Sequence, residues 1–332
     1  MILFNTFSNM SRYKTIPEAD ILVWAAALAV YKSFGYTLKL YCLDSDIDFL
    51  KQYHLYELYD IIDTEYLKNN KQLEKIDNKL FWSSRKIEAM YHELFDLNEE
   101  AIYTDVDILM KVPFDISNCD ALVWSPEPRN AVLTAKGIDW TKTIYVAWKF
   151  LSKPKDYKMP KYILDMPDAY NCGVWYFKNK EVFLEFRKQY YDFCIGNPGK
   201  LIGLEDTLYA LEGTIAKNAI FPCNAEQRIL KAVLTEYKQN VKTIMPYKGV
   251  GLCKEGYHLF WYRSNWQFIE KNPKLLTPES LRNLNGFIFE SLQALAALNR
   301  PVYEFFKTLP WLNNFELNFL KDPNKTPIKH YY

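Results

Sequence analysis

The chain runs to 332 residues, 49% of them hydrophobic, with a formal net charge of +1. That is enough apolar material to bury a substantial core, and it excludes a disordered chain. The near-neutral balance excludes a global electrostatic pull toward nucleic acid or anionic membrane, and only a local basic groove escapes that exclusion.

Met1 to Phe7 begins with Ile-Leu-Phe and reads as a buried first strand. It runs into the polar loop SNMSRYKT, a place where α/β folds meet ligands. Glu18 to Phe34 carries an apolar helical stripe that Gly35 stops. Thr37 to Leu43 alternates as a second strand, Asp46 to Tyr59 reads as helix, and Asp60 to Asp63 is a short third strand. Lys68 to Lys79 is charged and aperiodic, which reads as a mobile loop. In FWSSRKIEAMYHELFDL, Ile87, Met90, Tyr91 and Leu94 fall at helical spacing, with Ser83 or Ser84 placed to cap the helix. Ala101 to Thr104 then reads as a buried strand, and Ile108, Leu109 and Met110 resume the apolar character. This alternation of strand and helix predicts an α/β fold with a mostly parallel sheet covered on both faces.

Beyond Pro113 the pattern changes. Asp120 to Trp124 is a further strand, followed by SPEPRN and an irregular stretch suited to a lid or an acceptor wall. Asn171-Cys172-Gly173 reads as a small-residue turn into a strand over Val174 to Phe177. Glu181 to Cys194, a segment opening at Gly203, and Asn224 to Tyr237 read as helices, and Val241 to Met245 as a late strand. Gly249, Gly251 and Gly256 mark loops. From Thr277 an apolar stripe through Phe287, Leu292, Leu295 and Leu298 signals an added helical subdomain with an aromatic tail.

The six cysteines form no CxxC pair, which suggests reduced thiols and no zinc site. MILFNTFSN lacks the basic start and apolar length of a signal peptide, and ILVWAAALAVY is too short to span a bilayer. A soluble, cytoplasmic protein of a bacterial or viral setting is the expectation.

Asp105 and Asp107 sit one residue apart at the end of the Ala101 strand. On extended backbone, side chains two apart point the same way, so both carboxylates would emerge together at a sheet edge. Two carboxylates at that range repel unless a cation lies between them, and a hard divalent ion is the usual solution. The alternative is that they cap a turn, as Asp44, Asp46 and Asp48 would in leading a polar helix. Glu205-Asp206 would by itself stabilise the first turn of a helix. Alone, His258 among its aromatic neighbours reads as a hydrogen-bonded core histidine.

The order of these pieces resembles the glycosyltransferases of the GT-A fold. Asp105-Val106-Asp107, Asn171-Cys172-Gly173, Glu205-Asp206 and His258 follow one another with domain-sized gaps. Trp82 to Phe114, with its Arg-Lys helix and YTDVDILMKVPF, carries the most specific likeness. The resemblance covers Met1 to Trp266. It implies a Rossmann-like catalytic domain over 1–266, divided into a nucleotide-binding half (1–115) and an acceptor half (116–266), with a helical C-terminal extension over 267–332.

It also implies roles. Asp107 and Asp105 would hold Mn²⁺ or Mg²⁺ against the donor diphosphate with His258 as a further ligand, and Asp105 would also approach the ribose. Asn171, Cys172 and Gly173 would let backbone approach the sugar or acceptor. Arg85, Lys86 and Arg263 would contact phosphate or sugar. Asp206 or Glu205 would act on the acceptor hydroxyl as general base if configuration inverts, with Glu226 as a rival. The expected donor is a nucleotide-sugar, a UDP-sugar by default. The acceptor is a hydroxyl of a glycan, a protein side chain or a modified nucleobase, so nucleic acid enters only as acceptor. Two alternatives stand beside this. A sugar nucleotidyltransferase normally carries a glycine-rich phosphate loop after the first strand, and FNTFSNMSRYKT has no glycine. A carbohydrate- or nucleotide-binding protein without turnover is the other.

Overall fold

The structure, a computed structural model, describes residues 1–7, 18–76, 81, 83–127, 169–195, 223–245, 255–258 and 300–308. It is an α/β protein. A mixed, mostly parallel seven-stranded sheet takes strands β1 (Ile2–Thr6), β2 (Thr37–Tyr41), β3 (Ile61–Asp63), β4 (Ala101–Thr104), β6 (Ala121–Glu127), β7 (Ala169–Phe177) and β8 (Val241–Thr243) in the spatial order β3-β2-β1-β4-β7-β6-β8. Two further strands, β5 (Ile108–Met110) and β9 (Gly256–His258), form a small sheet of their own.

The chain divides into two compact units that alternate in sequence: Met1–Thr64, Thr104–Phe114 and Gly249–Tyr332 make the first, and Glu65–Tyr103 with Asp115–Lys248 the second. In the first unit β1, β2 and β3 run parallel, Leu3 facing Leu38 and Leu40 facing Ile62 in register. The helix α1 (Glu18–Ser33) packs against β5, and Val23 to Tyr31 is buried without a break. The apolar stripe expected there is therefore a helix covered on every side, which its alanine-rich sequence permits by letting neighbours approach closely. Gly35, at φ +82°, ends it. Asp46 to Tyr59 is not one helix. A 3₁₀ turn over Asp44–Asp46 leads to the short α2 (Ile47–Gln52), and a second 3₁₀ turn covers Tyr56–Leu58. Asp46 is buried and its carboxylate accepts the Leu43 N–H at 3.1 Å, so it serves the backbone at the helix start.

The second unit contains α3 (Glu65–Lys68), α4 (Ser84–Tyr91) with a π-helical turn over His92–Asp96, α5 (Lys180–Ile195), and α6 (Ile229–Glu236) preceded by a π-helical turn over Cys223–Arg228. The expected loop over Lys68–Lys79 includes a 3₁₀ turn at Leu73–Lys75. Ser83 occupies the N-cap of α4 without a side-chain cap. Its hydroxyl lies 3.0 Å from the Tyr190 phenol instead, and Ser84 donates to the Phe81 carbonyl at 2.7 Å, because both hydroxyls are buried and need partners there. Aromatic rings fill the space between β7 and α5, with Trp175 and Phe186 centred 5.7 Å apart and Phe177 and Phe183 5.1 Å apart.

Asn171-Cys172-Gly173, read from sequence as a turn, lies within β7, antiparallel to β6. The register shifts between Val123 and Ser125, and Asn171 pairs with Ser125. A bulge absorbs the local irregularity while the strand continues, and the Asn171 side chain accepts the Gly173 N–H at 3.0 Å. That local bond is the turn signal; the ladder overrode it. In the C-terminal part the described helix is α7 (Arg300–Thr308) in the first unit, where Phe305 packs on His54 at 4.5 Å between ring centres. No helix among the described residues is long and apolar enough to cross a membrane.

Candidate functional site

Asp105 and Asp107 occupy the tight connection between β4 and β5, where the Ile108 N–H closes onto the Asp105 carbonyl at 3.2 Å. Strand residues on both sides are fully buried, and the three residues of the connection, Asp105, Val106 and Asp107, are half-buried. Buried apolar strands thus flank a turn that carries two half-buried carboxylates. The Oδ1 atom of Asp107 is itself withdrawn from water.

The connection is held at both ends by buried side chains of the same unit. On the β4 side, Asn5 donates to the Thr104 carbonyl at 2.6 Å. Asn5 accepts from the Tyr59 phenol at 2.7 Å, which accepts from the Trp24 indole N–H at 2.7 Å. On the β5 side, the Tyr31 phenol donates to the Ile108 carbonyl at 2.7 Å. Burial pushes the Tyr31 phenol far above its usual range, with the nearby Tyr36 and Asp107 adding to the rise, so it stays a neutral donor. Tyr59 is likewise raised by burial.

β9 runs antiparallel to β5 with Ile108 opposite His258, Leu109 opposite Tyr257 and Met110 opposite Gly256. The register sets His258 on the strand beside the aspartate connection, one position from Asp107. Gly256 is required for this approach. A Cβ there would meet the Met110 sulfur at 2.8 Å and the Leu109 carbonyl at 2.9 Å. Among the described residues no group of three or more His, Cys, Asp or Glu side chains is gathered as a metal site, so the juxtaposition of His258 with the aspartates is one of backbone register.

Other predicted residues lie in the second unit. Arg85 and Lys86 are buried on α4, and Lys86 lies 3.2 Å from Glu226 with both side chains at most 4% exposed. The Lys86 ammonium also stands over the Tyr103 and Trp175 rings, 5.0 and 5.9 Å from their centres. The Glu226 carboxylate, named from sequence as the rival base, is thus engaged in a buried ion pair. Asn171 is half-buried and Gly173 buried at the β7 bulge. Glu205, Asp206 and Arg263 lie outside the described residues, as do the loop SNMSRYKT and the stretch read as a lid.

Sequence reasoning missed Asn5, Tyr31 and Tyr59 as supports of the aspartate connection. The signal was present for the first, a lone amide inside the apolar strand ILFNT that burial obliges to find partners. Tyr31 and Tyr59 look like core aromatics until the fold reveals where their hydroxyls point. Gly256 was likewise read as a loop marker, although the β-prone run that it opens was a usable sign of a strand.

No family model matches the chain, and no curated protein does.

Proposed function

We propose that the chain is a metal-dependent glycosyltransferase that moves a sugar from a nucleotide-sugar donor to a hydroxyl acceptor. The observation supporting this reading is the pairing of Ile108 with His258, which sets the late histidine's strand against the connection bearing Asp105 and Asp107. The sequence order from which the resemblance was drawn thereby gains a spatial counterpart across a large gap in the chain.

The donor set suits the ion. Two carboxylates and an imidazole combine hard oxygen with borderline nitrogen, a choice fitting Mn²⁺ or Mg²⁺. Asp105, Asp107 and His258 would hold it, and when bound it supplies charge neutralisation to a departing nucleoside diphosphate. The chain's own contribution is preorganisation. The aspartate connection is fixed by buried hydrogen bonds before any ligand arrives, so carboxylate repulsion is met by a rigid backbone rather than relieved by movement. In this proposal Asp206, or Glu205 beside it, takes the acceptor proton, and UDP-sugars are the first donors to test.

The test is calorimetric titration with UDP, with and without Mn²⁺, on the parent protein and on Asp107→Ala. The expected result is metal-dependent binding by the parent and none by the variant, with the variant's circular dichroism unchanged. Equal affinity in the two proteins removes the metal role. Binding without sugar release to any acceptor supports a binding protein, and pyrophosphorolysis of a UDP-sugar supports a nucleotidyltransferase.

A further inference from the structure

We propose that Tyr31 is a positioning residue for the aspartate pair, clamping the two ends of the connection from below together with Asn5. The inference rests on the reading of Asp105 and Asp107 as cation ligands, and concerns how the chain sets the separation of their carboxylates.

Three observations carry it. Tyr31 is buried in α1, a helix packed against β5, and its phenol donates to the carbonyl of Ile108 at 2.7 Å. The Tyr31 phenol therefore holds the residue directly after Asp107. The Thr104 hydroxyl donates to the Asp105 carbonyl at 3.1 Å. Independently, Asn5 grips the Thr104 carbonyl at 2.6 Å, backed by Tyr59 and Trp24.

A core needs Tyr31 only as a ring; a phenyl group would fill the same space. The hydroxyl is the informative part. Burying it without a partner would cost free energy, and here its partner is the backbone carbonyl directly after Asp107. Ligand-orienting hydrogen bonds of this kind contribute to metal affinity without touching the ion.

The phenol of Tyr36 supplies the control. It also lies in the first unit and also bonds backbone, accepting the Phe114 N–H at 2.9 Å, but among the described residues it makes no hydrogen bond to residues 104–108. The experiment compares the parent, Tyr31→Phe and Tyr36→Phe in full-length protein. Mn²⁺ affinity is read from the electron paramagnetic resonance of the free ion, and backbone order from amide hydrogen exchange over 104–110. The clamp predicts that Tyr31→Phe weakens Mn²⁺ binding by about tenfold and raises exchange over 104–110, while Tyr36→Phe leaves Mn²⁺ affinity within about twofold of the parent. Parent-like affinity and exchange in Tyr31→Phe overturn the clamp with the metal site still standing. So does an equal loss in the two variants, which marks a general loosening. A parent protein that binds no Mn²⁺ overturns the metal site, and the clamp with it.

Discussion

Lys86 and Glu226 show how much a single buried charge constrains this chain. Both side chains have left water, and each ionised form depends on the other and on the aromatic rings around the ammonium. Removing one charge takes a compensating charge from its partner in a medium of low polarity, whereas replacing both by apolar groups removes the problem. Glu226→Gln is therefore expected to lower unfolding stability in urea by about 3 kcal/mol, and Lys86→Met with Glu226→Leu to recover most of that loss. If the double variant is no more stable than the single one, the pair has a duty other than balancing charge. Arg187 and Glu88 repeat the theme nearby as a two-pronged pair, with nitrogen–oxygen distances of 2.7 and 3.0 Å, and Asn70 donates to the same carboxylate at 2.8 Å. Such saturation marks α4 as a structural keystone of the second unit. The thiol of Cys42 is another residue silenced by its surroundings. Burial first, then the Asp46, Asp44 and Asp63 carboxylates, push it up to about 12.

At the level of elements, the pairing of β5 with β9 depends on a residue that contributes no side chain. An alanine Cβ at position 256 would press on the Leu109 carbonyl, which belongs to the neighbouring strand and cannot swing away as a side-chain tip can. Gly256→Ala is thus expected to destabilise the protein by about 1–3 kcal/mol and to weaken Mn²⁺ binding more than it weakens the fold; calorimetry alongside urea unfolding checks both. Retained metal affinity in a destabilised variant would detach β9 from the site. Most elements were readable from the sequence. Apolar runs bounded by Gly, Asn or charged residues marked β1, β2, β3 and β4, and helical spacing of Ile87, Met90 and Leu94 marked α4. What escaped was long-range pairing. Nothing local in Gly256-Tyr257-His258 states that Ile108 is its partner, and nothing local in Asn171-Cys172-Gly173 distinguishes a turn from a bulge within a long strand. Of the candidate site, the carboxylates were legible because paired charges interrupt apolar sequence. The hydroxyls beneath them were not, because a tyrosine in an apolar helix looks like packing.

Across the whole molecule, the two compact units are woven from alternating stretches of chain, so neither corresponds to a single continuous segment. The short stretch Thr104–Phe114 belongs to the unit formed by the beginning and the end of the chain, although residues on both sides of it belong to the other. A chain ended at Lys248 would keep β5 and lose β9. The expected outcome is a lower melting temperature and loss of the Mn²⁺- and UDP-dependent thermal stabilisation predicted for the full chain. Undiminished stabilisation in the shortened protein would mean that the aspartates need nothing from the late segment.

The distance in sequence between Ile108 and His258 also has a consequence for biogenesis. Closing so long a loop is entropically costly and slow compared with local pairing. During translation the acidic connection leaves the ribosome well before the strand that completes its surroundings. A nascent chain therefore carries the two aspartates before the histidine, and the three-ligand site of the proposed reading would form only once β9 has emerged.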